Sequence, residues 1–144
     1  LIAIDDSDVF VGSTIERMIY RSSDAGFTWN WFFLPEYPYG LTVHDHVLLE
    51  ATFGDSGTHI DRSTDDGDTW SYSAPLSGLG YGMGFARYSG NILAGGTNLY
   101  VSTNEGVTWK LIFKNWGAGN SSVSFCRDGE QCFCNEKLRN LSLD

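Results

Sequence analysis

Aromatic and polar residues in glycine-rich segments are the side chains best suited to binding a ligand. An aromatic ring offers a flat apolar face with a polar edge, and a carboxylate or amide beside it fixes orientation by hydrogen bonding. The pattern suits a glycan or a protein segment, although the same rings can also fill seams between structural units. The candidate ligand-binding residues are Tyr37, Tyr39, Tyr81, Trp116, Glu36 and Asp55, with Asn120 as a further hydrogen-bonding group.

Acidic residues around Gly67 resemble a calcium loop, because Asp61, Asp65, Asp66 and Asp68 lie within eight residues of one another. Such a loop also needs a downstream acidic residue that binds the ion with both oxygens. Residues 70–77 contain none. A structural role for these aspartates is therefore the better interpretation.

Histidines and cysteines offer two further metal-like patterns. His44 and His46 flank Asp45, and alternate residues of a strand face the same way, but we expect a hairpin turn here. Three cysteines lie near the end of the chain without a fourth ligand for zinc, so one disulfide or three reduced thiols are both open: Cys126, Cys132 and Cys134. We predict no metal and no cofactor.

An octapeptide repeat organises the chain that must position these residues. Residues 22–29, 63–70 and 102–109 all read S-x-[D/N]-x-G-x-T-W, at intervals of 41 and 39 residues. A fixed period of this length indicates a repeat array or a propeller. Ser142–Asp144 fits the first three positions of a fourth copy, so we interpret the sequence as a fragment that ends within a repeat.

Short β-branched and aromatic runs separated by Gly, Asn and Asp fill the rest of each repeat and predict four strands per repeat. In the first repeat the predicted strands are 2–4, 9–11, 18–22 and 28–34. In the second they are 41–44, 47–52, 59–63 and 69–73, and in the third 84–88, 92–95, 99–103 and 108–113. The predicted fold is all-β.

The repeated octapeptide resembles the Asp-box, or bacterial neuraminidase repeat, of β-propellers. The resemblance implies four-stranded antiparallel blades, approximately 1–40, 41–82, 83–121 and a truncated 122–144, with the octapeptide as the turn between strands three and four. Its Asp or Asn would accept backbone hydrogen bonds, its Gly would permit positive φ, and its Trp would pack beneath or between blades. The structural positions are Ser22, Asp24, Gly26, Thr28 and Trp29; Ser63, Asp65, Gly67, Thr69 and Trp70; and Ser102, Asn104, Gly106, Thr108 and Trp109.

Propeller architecture also implies a position for the site. The loops between strands two and three and those crossing to the next blade share the rim opposite the octapeptides. The predicted crossing loops are residues 35–40, 77–82 and 115–120, and Arg17 is the one arginine expected near that rim. A sialidase resembling this family needs three arginines there. We therefore favour a recognition module over the alternative, a fragment of a sialidase- or endoglucanase-type glycoside hydrolase completed by missing blades.

Net charge and hydropathy limit the classes of partner that the chain can bind. The formal net charge is −9, which opposes binding to phosphate backbones, and we expect no nucleic-acid partner. No apolar run approaches the length of a membrane-spanning helix. We expect a glycan or protein ligand on a cell or virion surface, an extracellular or surface-associated location, and further blades from the missing chain or from another subunit.

Overall fold

The computed structural model describes residues 1–54, 57–79 and 83–114. This part of the chain forms three antiparallel sheets of four strands each, and in each sheet the strands are neighbours in chain order. The predicted all-β fold is confirmed. Asp55, Tyr81, Trp116, Asn120, the three cysteines and the predicted fourth blade lie outside the described residues.

The strand bounds follow the repeat closely. The first sheet contains β1 (Ile2–Asp5), β2 (Asp8–Ser13), β3 (Met18–Ser22) and β4 (Asn30–Phe33). The second contains β5 (Tyr37–His44), β6 (Val47–Gly54), β7 (Gly57–Ser63) and β8 (Ser71–Tyr72). The third contains β9 (Gly84–Tyr88), β10 (Asn91–Gly95), β11 (Leu99–Ser102) and β12 (Lys110–Phe113).

Strand β5 departs most from the prediction. It begins at Tyr37 rather than Leu41, so most of the predicted crossing loop 35–40 is strand, and the second sheet begins before the expected boundary at residue 40. Pro38 pairs with Thr52 and Gly40 with Ala51, across an irregularity that accommodates the proline in the ladder. The proline and glycine that suggested a loop therefore mark a bulge in a first strand.

The octapeptides form the turns between the third and fourth strands of each sheet. In the first turn the Ser22 hydroxyl donates to Asp24 Oδ1 (2.7 Å) and accepts from the Gly26 N–H (2.8 Å). Asp24 accepts from both the N–H (2.8 Å) and the hydroxyl (2.6 Å) of Thr28. The second turn repeats these bonds, and in the third the Asn104 amide donates to Thr108 Oγ1. Bonds to the ionised form hold the pKa of Asp24 and of Asp65 at about 2, led by the Thr28 and Thr69 hydroxyls.

Two seams hold successive sheets together. At the first seam, Phe10, Ile19 and Leu34 of the first sheet pack on Leu48 of the second. At the second seam, Leu49, Ala51 and Ile60 of the second sheet pack on third-sheet residues such as Ile92 and Ala94. Gly67 lies directly beneath the Phe32 ring and Gly106 beneath Leu49, so the octapeptide glycines also permit close approach of the preceding sheet.

The octapeptide tryptophans only partly follow the prediction that their rings pack beneath or between blades. Trp70 packs at the first seam and Trp109 at the second. Trp29 is 43% exposed, because no described sheet lies on the side of the first sheet that its ring faces. It shares this open face with exposed side chains of β1 and β4, namely Ile2, Ile4, Trp31 and Phe33.

Arginines immediately before the first two octapeptides link the first sheet to the second and the second sheet to the third. Arg21 donates to Asp66 Oδ2 of the second sheet (2.8 Å), and Arg62 donates to the Glu105 carbonyl of the third (2.7 Å). Asp66 and Glu105 occupy the same octapeptide position, and both adopt positive φ. The turn geometry therefore presents an acceptor to the arginine of the preceding sheet.

Candidate ligand-binding site

A solvent-open pocket of about 370 Å³ lies on the rim opposite the octapeptide turns. It is formed by the segment that crosses from the first sheet to the second, by the start of β7 and by the end of β8. The rim is the one that the resemblance implied. The pocket is lined by Pro35, Glu36, His59, Tyr72, Ser73 and Pro75.

Backbone contacts fix the crossing segment at the pocket mouth. The Leu34 N–H donates to the Arg17 carbonyl (2.8 Å), and the Arg17 guanidinium donates back to the Pro35 carbonyl (3.2 Å). The carboxyl of Glu36 folds against Gly54, where the first carbon of any side chain would collide with it. Gly54 thus makes room for Glu36 in the pocket wall.

The opposite wall is fixed by β7. Ser73 extends the pairing beyond β8, because its N–H donates to the Ile60 carbonyl (2.9 Å) and its hydroxyl accepts from the Ile60 N–H (2.9 Å). The Leu76 N–H then donates to the Thr58 carbonyl (2.8 Å). These bonds hold Ser73 and Pro75 beside the end of the sheet.

An acidic cluster extends inward from the pocket. His59 Nε2 lies 3.7 Å from Glu36 Oε2 and 3.1 Å from Asp61 Oδ1. Asp61 pairs across the sheet with Glu50, and both residues are buried, with 1% and 0% of their surface exposed. Neither carboxyl oxygen of Glu50 has a hydrogen-bond partner among the described residues. We define Glu36, Glu50, His59 and Asp61 as the acidic cluster.

Burial changes the protonation of the inner acids. It raises the pKa of Asp61 to about 7, with the charge of Glu36 adding to the effect and a hydrogen bond from Thr52 opposing it. Burial raises the pKa of Glu50 well above its ordinary range, and the charge of Asp61 acts in the same direction. Perturbed acids of this kind concentrate at functional sites.

Tyr72 supplies the aromatic surface of the pocket. Its ring is 63% exposed and meets the His59 ring edge to face, with 5.7 Å between the ring centres. The Tyr72 ring is therefore held by its contact with His59 while most of its surface remains accessible to solvent. The pocket combines this aromatic surface with a carboxylate and an imidazole.

Of the sequence-predicted ligand residues that the structure describes, Glu36 lines the pocket. Tyr37 and Tyr39 do not: they lie in β5, with the Arg17 guanidinium 4.1 Å above the Tyr37 ring centre and Tyr39 against Phe53. The Tyr37 ring contacts Arg17 of the first sheet, as the seam-filling alternative predicts, whereas the Tyr39 ring contacts Phe53 of its own sheet.

Sequence reasoning missed His59, Tyr72, Asp61 and Glu50. His59, Asp61 and Ser63 alternate along a predicted strand and therefore share a face. That polar alternation within a buried strand was the available signal.

A second cluster lies on the octapeptide rim. Residues His44 to Val47 form the predicted hairpin turn, with positive φ at Asp45 and His46. His46 Nδ1 approaches Asp66 Oδ1 (3.5 Å) and Asp8 Oδ2 (3.9 Å), the group that could hold a cation among the described residues. The His46 side chain is 72% exposed and Asp66 already pairs with Arg21, so this cluster is a surface ion-pair network.

The aspartates around Gly67 do not converge on one point. Asp65 binds Thr69, Asp66 binds Arg21, and Asp61 joins the acidic cluster. This arrangement agrees with the structural interpretation rather than a calcium loop.

Comparisons with known proteins give the fold. No protein-family model matches the chain, and no curated protein matches it. Among solved structures, it is similar to YCF48 bound to D1 peptide, with a TM-score of 0.58, 16% identity, and coverage of 77% of this chain and 38% of that one. It is also similar to the GH74 enzyme of Niastella koreensis, with a TM-score of 0.55, 22% identity, and coverage of 76% and 17%.

Both neighbours are β-propeller proteins, and their blades match the three sheets of this chain. The chain spans well under half the length of each of these neighbours. Within the described ranges, the structure contains no helix with the length and apolarity that a bilayer crossing requires.

Proposed function

We propose that this chain is part of an Asp-box propeller that acts as a recognition module, binding a protein segment or a glycan in the rim pocket. The observation that carries the proposal is the solvent-open pocket itself, which joins the exposed ring of Tyr72 to the polar pair of Glu36 and His59. Loops and strand ends on a rigid scaffold are where binding sites concentrate. The hydrogen-bonded octapeptide turns support the assignment to the Asp-box family, and we propose an extracellular or cell- or virion-surface location.

A protein ligand has support from the structural neighbours. YCF48, which has a similar fold, is described as bound to a peptide. At least one protein of similar fold therefore binds a peptide.

A second candidate is a fragment of a glycoside hydrolase, with catalytic residues completed by other blades. The pKa of about 7 at Asp61 suits a general acid, and the second neighbour is a GH74 enzyme. Asp61 is only 1% exposed, however, and hydrolysis needs two carboxyls that flank the substrate. Binding is therefore the better-supported function.

The test compares two exposed tyrosines at opposite rims. Tyr72→Ala should weaken binding to the best ligand on a peptide array or glycan array by about tenfold, because it removes the aromatic surface of the pocket. Tyr88→Ala is the matched control, since Tyr88 is 56% exposed and ends β9 at the octapeptide rim. Equal losses in both variants, or no ligand on either array, would overturn the proposal.

Catalysis is tested separately with Glu36→Gln. If the second candidate is correct, this variant abolishes release of reducing ends from plant polysaccharides or sialosides while the circular-dichroism spectrum is retained. Absence of turnover in the unmodified protein completed by its other blades would eliminate the hydrolase.

A further inference from the structure

We propose that the group received by the rim pocket is a cationic side chain, a lysine or arginine of a peptide, held between the Tyr72 ring and the Glu36 carboxyl. This inference rests on the proposed recognition function and specifies its ligand. It follows from the charge, the shape and the internal arrangement of the pocket.

Charge is the first argument. Glu36 supplies the carboxyl that lines the pocket, and Asp61 lies behind His59, in a chain whose formal net charge is −9. The Arg21 and Arg87 side chains form ion pairs elsewhere, with Asp66 and Glu105. An acidic concave surface attracts a positive group and raises its local concentration.

The nearest arginine on this rim does not compete for the pocket in the structure. Arg17 donates to the Pro35 carbonyl and lies over the Tyr37 ring. The buried Glu50 carboxyl has no hydrogen-bond partner among the described residues, so the interior of the cluster retains unused acceptor capacity. A positive charge at the mouth would stabilise negative charge on every acid behind it.

Shape is the second argument. Pro35, Pro75 and the Tyr72 ring give the pocket apolar walls, and its polar part is where Glu36 and His59 approach each other. A lysine or arginine side chain has the same distribution, with an apolar stem and a charged tip. A sugar ring carries hydroxyls around its perimeter and would leave some of them unpaired against proline. The exposed tyrosine ring also offers a cation–π contact.

Proton linkage is a consequence that can be measured. The titratable side chains that line the pocket are Glu36, His59 and Tyr72. Asp61 and Glu50 lie behind His59, and the Arg17 guanidinium contacts Pro35 at the pocket edge. Asp61 loses its proton near pH 7, and a bound cation would favour the ionised form. Binding should therefore release protons and strengthen as pH rises from 5 to 8.

The probes are three capped tripeptides, acetyl-Gly-Lys-Gly-amide, acetyl-Gly-Arg-Gly-amide and the neutral acetyl-Gly-norleucine-Gly-amide, titrated by NMR. We expect the Lys or Arg probe to bind about tenfold more tightly than the norleucine probe, and several times more tightly at pH 8 than at pH 5. Glu36→Gln should remove about tenfold of this affinity. Glu16→Gln is the matched control, because Glu16 is an exposed acid in the β2–β3 loop of the same rim.

The outcomes separate the two proposals. If the norleucine probe or a glycan binds and Tyr72→Ala abolishes that binding while Glu36→Gln does not, the recognition function stands and the cationic ligand is wrong. If Glu16→Gln weakens binding as much as Glu36→Gln, the attraction is general surface charge and the inference also fails. If no peptide or glycan shifts pocket resonances, both proposals fail.

Discussion

The two faces of the second sheet are built from alternate residues of the same strands, yet they have opposite characters. The side chains of Leu49, Ala51 and Ile60 face the third sheet and form an apolar core. Glu50 and Asp61, the residues next to them in sequence, turn to the first sheet and join the acidic cluster. Both sets are almost completely buried, so burial alone does not distinguish them.

The difference separates the residues that stabilise the fold from those that form the proposed binding site. Apolar burial at both seams stabilises the fold, whereas burial of the Glu50 and Asp61 carboxyls at the first seam opposes it. An arrangement that weakens the fold persists where it serves a site. The comparison therefore supports placing the proposed binding site on the face of the second sheet that carries Glu50 and Asp61.

The largest effect on stability is expected at the apolar face of the second sheet. Leu49 is fully buried and lies over Gly106, so Leu49→Ala should lower the free energy of unfolding by about 3 kcal/mol. The adjacent change Glu50→Leu, on the other face, should leave stability unchanged or raise it, because it removes a buried carboxyl without a described partner. Denaturant unfolding measures both. Similar losses in the two variants would contradict the distinction between the faces.

The next effect depends on pH. The folded-state pKa of Asp61, about 7, exceeds its ordinary 3.8, so its contribution to stability is complete below pH 4 and is lost as pH rises through 7. Asp61→Asn should therefore stabilise the protein at pH 8 by on the order of 3 kcal/mol relative to its effect at pH 4. Thermal unfolding at both pH values tests this.

The octapeptide aspartates provide the internal control, because their linkage has the opposite sign. Their pKa of about 2 lies below the ordinary value, so the stability contributed by Asp24 and Asp65 is present above pH 4 and is lost as pH falls to 2. Asp61→Asn should leave this acid limb unchanged. A pH-independent effect of Asp61→Asn would refute the assignment.

A smaller effect on stability is expected from the Arg21–Asp66 ion pair across the first seam. Arg21 and Asp66 are about one-quarter exposed and form a charge-assisted hydrogen bond at 2.8 Å. A double-mutant cycle with Arg21→Gln and Asp66→Asn should give a coupling of about 0.5 to 1 kcal/mol that decreases in high salt. At the second seam Arg62 uses a main-chain carbonyl, so Glu105→Gln should preserve that bond. Zero coupling would show that the Arg21–Asp66 ion pair does not help to hold the first seam.

The smallest expected effect comes from backbone strain in the first octapeptide turn, which is independent of packing on either face of a sheet. Ala25 has a φ of 57°, in the left-handed region that favours glycine. Ala25→Gly should raise stability by about 0.5 kcal/mol, whereas Ala74→Gly, at an exposed position without positive φ, should lower it. Differential scanning calorimetry would resolve the two signs, and a loss in both variants would exclude strain at Ala25.

Local features of the fold were predictable from sequence, and the site largely was not. The octapeptide bonds join residues two to four positions apart, so Ser22, Asp24 and Thr28 specify their turn without help from other sheets. Local sequence does not determine which face of β6 packs on which neighbouring sheet, because this depends on how the sheets stack. The alternation of His59 and Asp61 along a strand indicated a shared face, but not the approach of Glu36 from the crossing segment.

Strand β5 and Trp29 illustrate the same limit. Pro38 and Gly40 indicated a loop, because residue propensity alone gives no information about pairing with β6. The irregular ladder between β5 and β6 accommodates both residues. Trp29 has the same local turn as Trp70, including the indole N–H bond to its glycine carbonyl. Only a preceding sheet would determine whether its ring is buried.

The open face around Trp29 has a geometric consequence for assembly. The first sheet presents Ile2, Ile4, Trp31 and Phe33 on this face, whereas its opposite face carries a different set of residues, including Ala3, Phe10 and Ile19, that pack on the second sheet. A surface that pairs with a different surface produces head-to-tail contacts, which close into a ring only when the rotation between successive units divides a full circle. Any sheet that covers these residues therefore extends a directional series, and the angle between sheets decides whether that series ends as a closed disc or continues as a helical fibre.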